Sequence, residues 1–418
     1  MPKLDHAWVR SQFPSLGLTL AEKPVAFFDN PAGTQVPQHV IDAMSSYLLG
    51  ANANTHGDFL TSQRTDAVIA QARQLSAAFV GARSSNEIVF GANMTTLTYS
   101  LSRALGRSWA AGDEVIVTDL DHDANISPWL ELAERGIVVR RVPVQLQEGT
   151  LDLDALQRLL SRKTRLVAVG YASNALGTIN DVGRIAQMAH SVGARVWVDA
   201  VHYGPHGPID VQAIEADYLV CSAYKFFGPH LGILWGKESH LDELRASQVR
   251  PAPRTSPEKF ETGTKNHEGL AGLVGAFRYL GELGGEADLP AQGAAAARAG
   301  LLRAMHAVRG YELELGAQLL QGLTSIRGLR LYGLSRAADL PRRVPTFGFT
   351  LEGKDSLDVS RSLAELGIFT WAGHHYALTL MDRLGLSEHG GVVRVGAVHY
   401  NTASEVERLI GALRALST

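Results

Sequence analysis

The feature that most limits what this chain can fold into is an alternation in its first half. Short apolar, β-branched runs recur: "EVIVTDL" (114–120), "RLVAVGYA" (165–172), "ARVWVDAV" (194–201), "YLVCSA" (218–223) and "GILWG" (232–236). Helical patterns separate most of them: "PWLELAERG" (128–136), "LDALQRLLSR" (153–162) and "DVGRIAQMAHSVG" (181–193). Strands that are apolar throughout, spaced by helices, predict an α/β fold with a mainly parallel sheet covered on both faces. The pattern changes after about residue 265. Two long helical stretches lead into short strands at 329–334 and 345–353, a helix at 358–367, a strand at 391–398 and a helix at 404–416. That reads as a smaller α+β module, with the break near "GGEADLPAQ" (284–292).

Composition narrows the function classes. Of 418 residues, 45% are hydrophobic, and 39 basic against 42 acidic side chains leave a formal charge of −3. Such a balance gives no electrostatic reason to expect nucleic acid or a membrane surface as partner. The tightest basic pairs, Arg140-Arg141 and Arg342-Arg343, read as solvated faces or turn charges. Cys221 is the single cysteine, so no intrachain disulfide forms. The opening "MPKLDHAWVRSQFPSL" lacks the apolar core of a secretory signal, and no apolar run of about 18 residues suggests a membrane span. The expectation is a soluble cytoplasmic protein. A nicotinamide dehydrogenase would need a G-x-G-x-x-G turn after an early strand, and no predicted strand is followed by one.

Four segments carry candidate chemistry. In "CSAYKFFGPHLG" (221–232), Lys225 follows a strand among aromatics. A lysine there either extends its amine to solvent or has a lowered pKa, and lysines of the second kind form Schiff bases with carbonyls. In "VWVDAVHYGPHG" (196–207), Asp199 ends an apolar strand, where parallel sheets gather ligands. It is either a turn aspartate or the partner of a protonated ring nitrogen. In "GANMTTLTYSLSRALG" (91–106), Thr95 and Thr96 open a helix, as a cap or as a phosphate cup. In "DLDHDANISPWL" (119–130), His122 lies just past a strand, as a loop residue or as a ring that stacks on another. A stacking ring, an anion for a ring nitrogen, a Schiff-base lysine and a phosphate cup are together the parts that pyridoxal 5′-phosphate requires.

The chain resembles the fold-type I pyridoxal-phosphate enzymes of the class V aminotransferase group, and most of all the cysteine desulfurase-like branch. "AFFDNPAGTQVP" (26–37) is similar to that branch's "YLDNAATT" opening, and "DHDAN", "SNALGT", "VDAVHY", "CSAYKFFGPHLG" and "ETGTKNHEGL" stand with it. The resemblance implies a large domain over 29–290 and a small domain made of 1–28 and 291–418. It implies that Lys225 holds the cofactor, Asp199 pairs with the pyridine nitrogen and His122 stacks on the ring. Thr95, Thr96 and Ser222 would take the phosphate, and Asn174 would lie near the ring hydroxyl. His202 would stand where the desulfurases carry a glutamine. Thr264, in "ETGTKN", would reach the phosphate of a partner subunit, which implies a homodimer with shared sites. Arg394, His375 and Asn30 are assigned to the substrate, a small amino acid, and no metal ligand is assigned.

One departure decides the expected reaction. "TWAGHHYALTLM" (370–381) stands where the desulfurase pattern reads like "RTGHHCAMPLM". Tyr376 occupies the place of the sulfur-accepting cysteine, and a phenol cannot store a persulfide. Cys221, on an apolar strand, reads as a buried and inert thiol. The expectation is therefore a C–S (or related Cβ–X) lyase working by β-elimination, with Lys225, His122 and Tyr376 as catalytic groups. Aminotransfer, epimerisation and true desulfurase or selenocysteine lyase activity are the alternatives. A non-catalytic, partner-binding relic of the fold is another, against which the retained Lys225–Asp199 pair argues.

Overall fold

The computed structural model describes residues 4–287, 289 and 293–417. The larger sheet has seven strands: β1 (Ile88–Gly91), β2 (Glu114–Thr118), β3 (Val138–Val142), β4 (Thr164–Gly170), β5 (Arg195–Asp199), β6 (Tyr218–Ser222) and β7 (Gly232–Gly236). Their spatial order is β1-β7-β6-β5-β4-β2-β3. Every pairing from β3 to β6 is parallel, and β7 runs antiparallel to both its neighbours. The expected mainly parallel sheet is present, and β7 is the exception for a simple reason. Only residues 223–231 separate it from β6, too few for the crossover of about a dozen residues that a parallel return needs.

Alternate side chains of the inner strands feed two cores, one on each face. Ile116, Val167 and Val198 pack on one side, and Val115, Ala168 and Trp197 on the other. This two-sided burial explains why these strands read as unbroken apolar runs. The covering helices include α1 (Gln38–Gly50), α2 (Leu60–Val80), α3 (Met94–Gly106), α4 (Val182–His190), α5 (His267–Leu283) and α6 (Ala294–Thr324). The helix expected over 128–136 is one α-turn, Ser127–Leu130, followed by the 3-10 segment Glu131–Arg135, which Gly136 ends at φ 79°. The helix expected over 153–162 stops at Leu159.

A second sheet is antiparallel. It holds β8 (Leu329–Tyr332), β9 (Thr346–Leu351), β10 (Trp371–Gly373) and β11 (Val392–Gly396) in the order β8-β9-β11-β10. The helices α7 (Ser356–Glu365) and α8 (Ala403–Leu416), with the far end of α6, close its core around Phe347, Phe349 and Val393. Chain ends meet here. The short strand Ala26–Phe27 pairs with Ile368–Phe369, and Arg10 reaches Glu405 at 2.9 Å. The boundary expected between 290 and 291 lies outside the described residues.

Of the two arginine pairs, Arg140-Arg141 and Arg342 keep solvent-facing side chains, as expected, and Arg343 needs correction. Arg140 and Arg141 lie on the edge strand β3, where Arg140 binds Glu114 at 2.7 Å and Arg141 donates to Thr379 at 3.1 Å. Arg343 is not a surface charge at all: it is 2% exposed. Its guanidinium donates to the carbonyls of Leu334, Leu176 (3.0 Å) and Thr346 (2.6 Å) and lies over the Phe347 ring. It ties the second sheet to the loop after β4, and burial lowers its pKa to about 9.

Candidate active site

The carboxyl ends of β2, β4, β5 and β6 converge on a cavity of about 410 Å³, and the loop after β10 closes its outer side. Asp199 is the last residue of β5 and pairs in register with Gly170 of β4 and Val220 of β6. One carboxylate oxygen accepts the Val201 N–H at 2.9 Å, and the group borders the cavity. Burial raises its pKa to about 6. Lys225 ends the 3-10 turn that follows β6. Its amine donates to the Pro31 carbonyl and lies 4.9 Å from the centre of the Tyr224 ring. Burial, reinforced by the positive charge of Arg394, lowers its pKa to about 7, with Asp199 and Asp29 opposing. A lysine in this state is a nucleophilic amine near neutral pH.

His122 follows β2 and lines the same cavity. The Ala124 N–H points at its Nδ1 from 3.0 Å, so Nδ1 is an acceptor and the neutral ring carries its proton on Nε2. Burial, with the charges of Lys225 and Arg394, lowers its pKa to about 4. The Tyr376 ring stacks on it, with centroids 5.3 Å apart and planes 15° from parallel. His375 and Tyr376 both take left-handed backbone, at φ 52° and 57°. Such neighbours are strained for residues with a Cβ and need outside support. That support is visible: Asp123 N–H donates to the Tyr376 carbonyl at 2.7 Å, and Asn174 Nδ2 donates to the His375 carbonyl at 2.7 Å. His375 Nε2 donates in turn to the Val392 carbonyl at 3.0 Å.

Arg394 projects from β11, 5% exposed, and its Nη1 donates to the Asn174 carbonyl at 2.9 Å. Its buried Nε has no partner, and neither has Asn174 Oδ1. Two unsatisfied buried groups beside one cavity mark a place prepared for a polar ligand. Burial lowers the Arg394 pKa to about 10.

The other expected residues divide. Ser222 and Thr95 line the cavity beside the N-terminus of α3, where Asn93 Oδ1 caps the Thr96 N–H at 2.9 Å. Gly232 of β7 lets this cap approach; a Cβ there would strike the Asn93 backbone. Thr96 does not line the cavity, and its hydroxyl donates back to the Asn93 carbonyl at 3.0 Å. His202 lines the cavity, 4% exposed, with Nε2 3.0 Å from Thr346 Oγ1, and burial holds its pKa well below the usual imidazole value. Asn30 is corrected: it is absent from the wall, and its amide is used up on Phe27, Gly396, Asn401 and Tyr400. Its neighbour Asp29 is also outside the wall, but it is coupled to the charges of the site, and the sequence reading missed it. Asp29 Oδ1 is buried without a partner, burial raises the carboxyl pKa to about 6, and Arg394 and Lys225 act on it. Asp121 was missed too. It lines the cavity, accepts from Gly170 N–H at 2.9 Å and from Asn125 at 2.8 Å, and burial raises its pKa to about 7. Both stand one residue from a residue already chosen, which is the signal that could have found them. Thr264 is exposed and away from this cavity, on a segment anchored by the Arg73–Glu261 pair at 2.9 Å.

These side chains fit pyridoxal phosphate. The activated amine, the buried carboxylate, the flat neutral imidazole and the helix N-terminus face one space, and the unpartnered Arg394 Nε offers a donor for a carboxylate. Among the described residues, no group of three or more His, Cys, Asp or Glu side chains is placed to hold a metal ion.

Comparison with known proteins agrees. The aminotransferase class-V family profile matches residues 26–302 and 291–409. A cysteine desulfurase of Synechococcus elongatus is 35% identical over 99% of this chain, and the match covers 64% of that relative, so the chain spans about two-thirds of its length or less. The aminotransferase-like protein FGM3 of Gibberella zeae is 34% identical, with 97% of this chain and 96% of that protein covered. The apo structure of a cysteine desulfurase from Thermococcus onnurineus superposes with a TM-score of 0.87 at 28% identity, covering 100% of this chain and 99% of that one.

Proposed function

The chain belongs to the class-V aminotransferase family, whose members use pyridoxal 5′-phosphate, and from that membership we propose that it is a C–S (Cβ–X) lyase acting on a small α-amino acid without a persulfide cysteine. One observation carries this reading. Lys225, Asp199 and Arg394 share a cavity, while position 376 is tyrosine and the single cysteine, Cys221, lies fully buried in β6 and outside the cavity wall. Burial also pushes the Cys221 thiol far above its usual pKa, so it supplies no thiolate.

Pyridoxal phosphate, when bound, supplies an electron sink that weakens the bonds at the substrate's α-carbon. The chain's own groups then divide the work. Arg394 binds the substrate carboxylate with its fork of N–H groups and fixes the orientation. Lys225 Nζ holds the cofactor and, once released, takes the α-proton, a task suited to an amine of pKa about 7. Asp199 would supply the negative charge that pairs with the ring nitrogen, and the flat His122 imidazole would pack against the cofactor. Tyr376, stacked on His122 at the exposed rim, offers a hydroxyl for protonating a leaving group. The same reading divides the chain into a large unit over 29–290 and a small one from 1–28 and 291–418, and takes the protein to be cytoplasmic; among the described residues no helix is long and apolar enough to cross a membrane.

The reading also includes a homodimer. Ile41, Leu48 and Leu49 of α1 leave apolar side chains in solvent, Leu49 being 90% exposed, and Phe59 and Leu60 are exposed as well. Large apolar side chains left in solvent along one helix suit an interface between copies. Thr264, remote from its own cavity, is then free to serve the neighbour's. Leu49→Asp should shift the protein to monomers on size exclusion.

Product identity by mass spectrometry tests the reaction, using the cofactor-loaded protein with β-chloroalanine and cysteine. Pyruvate and ammonia are expected. Alanine from cysteine would overturn the reading in favour of desulfuration. A keto acid that keeps its β substituent would move it to aminotransfer, and inversion at the α-carbon to epimerisation.

A further inference from the structure

The outer rim of the cavity carries aromatic surface beyond the one hydroxyl that the proposed reaction uses. Trp371 of β10 is the register partner of Arg394 of β11. Directly paired residues of an antiparallel ladder project from the same face, with Cβ atoms roughly 5 Å apart. Trp371 therefore stands beside the group that takes the substrate carboxylate. It lines the cavity and yet is 54% exposed, and Tyr376, on the same rim, is 64% exposed. His374 completes the edge, its ring 5.7 Å from that of Tyr376 at 81°. Single exposed aromatics are ordinary. Three rings around the mouth of one cavity, one of them set by strand register against the carboxylate clamp, are a surface built for something flat.

The placement of a bound amino acid fixes what meets that surface. This step rests on the function proposed above. The carboxylate lies at Arg394 and the reacting carbon near Lys225. The deep end, toward Asp199 and Ser222, belongs to the cofactor. The side chain is left with the mouth. The charged groups of the wall, Asp121, Asp199, Lys225 and Arg394, are buried or half-buried, so the mouth offers ring faces rather than an ion pair.

We propose that Trp371, Tyr376 and His374 form an aromatic subsite that selects α-amino acids with a flat aromatic or bulky apolar side chain, and that the substrate of the lyase is an S-substituted cysteine whose leaving thiol carries such a group. The stoichiometry balances without any oxidant or reductant. The Cα–H and Cβ–S bonds break and the departing sulfur takes a proton. One water is consumed, and the remaining three-carbon unit leaves as pyruvate and ammonium. The aryl or alkyl thiol departs as a free product, so no cysteine is needed to receive sulfur.

Two readouts on the cofactor-loaded protein test this. The first is equilibrium binding of L-phenylalanine and L-alanine, neither of which has a β leaving group. Phenylalanine should bind about tenfold more tightly, Trp371→Ala should bring the ratio close to one, and Trp371→Phe should retain it. The second is pyruvate release from S-phenyl-L-cysteine and S-methyl-L-cysteine. The ratio of kcat/KM should favour the phenyl compound about tenfold and collapse in Trp371→Ala, mainly through KM. Equal binding of phenylalanine and alanine, with pyruvate still formed from β-chloroalanine, would overturn the subsite and leave elimination standing. A Trp371-dependent preference for phenylalanine, with no pyruvate from any of these compounds, would uphold the subsite and refute elimination. A Trp371→Ala protein that loses its dimer but keeps the preference would assign Trp371 to the interface between copies and overturn the subsite.

Discussion

Replacing Asp199 with asparagine should stabilise the cofactor-free protein while disabling the holoenzyme, and the stabilisation should depend on pH. Asp199 is 8% exposed, and burial raises its pKa from the usual 3.8 to about 6. A carboxyl whose pKa is raised on folding contributes full stability below about pH 4, where it is protonated in both states, and loses it as pH rises through about 6. A shift of roughly two units corresponds to about 3 kcal/mol at about 1.4 kcal/mol per unit. Asparagine keeps an acceptor for the Val201 N–H, now 2.9 Å from Oδ1, and carries no charge. The two cofactor-free proteins should therefore have similar stability near pH 4, and the variant should be more stable by up to about 3 kcal/mol at pH 8. Urea unfolding at the two pH values measures this, and thermal midpoints should differ by a few degrees. Pyridoxal phosphate reverses the order, because a protonated ring nitrogen gives the carboxylate the partner it lacks. Wild type should gain more thermal stability from the cofactor than the variant does, and the variant should lose most of its turnover. A variant that is less stable at pH 8, or a gap of the same size at pH 4 and pH 8, would refute the reasoning.

Other outcomes follow from the same geometry. Arg394→Lys should lower kcat/KM about 100-fold, mostly through KM, because an ammonium cannot reproduce the fork that faces the substrate carboxylate. Arg343→Ala should destabilise the protein by at least about 3 kcal/mol in urea unfolding, since three buried carbonyls lose their donor at once. Tyr376→Cys should produce alanine from cysteine, detected by mass spectrometry, with a persulfide on the new thiol; pyruvate alone would show that the loop cannot present a nucleophile there.

Much of the fold was legible because parallel strands buried on both faces leave unbroken apolar runs, and those runs by themselves put Asp199, Ser222 and Lys225 at or just past strand ends. Orientation was less legible. That β7 turns back against β6 depends on the shortness of 223–231, a matter of chain length rather than of residue type. Arg343 was misread because charged residues default to the surface, and residue type alone does not announce three buried carbonyl acceptors, one of them 167 residues away in Leu176. Asn30 and Asp29 were exchanged for a similar reason. Both are polar residues in one motif, and only the hydrogen-bond count shows that Asn30 is saturated while Asp29 keeps an unpartnered oxygen. The rim was the least legible part. Tyr376 was chosen as a replaced nucleophile, but its stack on His122 and the left-handed backbone beneath it depend on contacts with Asp123 and Asn174 that pattern alone does not reveal.

The most direct test of the account is to reduce the cofactor-loaded protein with borohydride, digest it and map the modified peptide by mass spectrometry. The account predicts a single pyridoxyl-phosphate adduct on Lys225, absent from Lys225→Ala together with all turnover. A protein that purifies colourless and yields no adduct, or one whose Lys225→Ala variant keeps full activity, would contradict the central claim and return the chain to the class of non-catalytic relics.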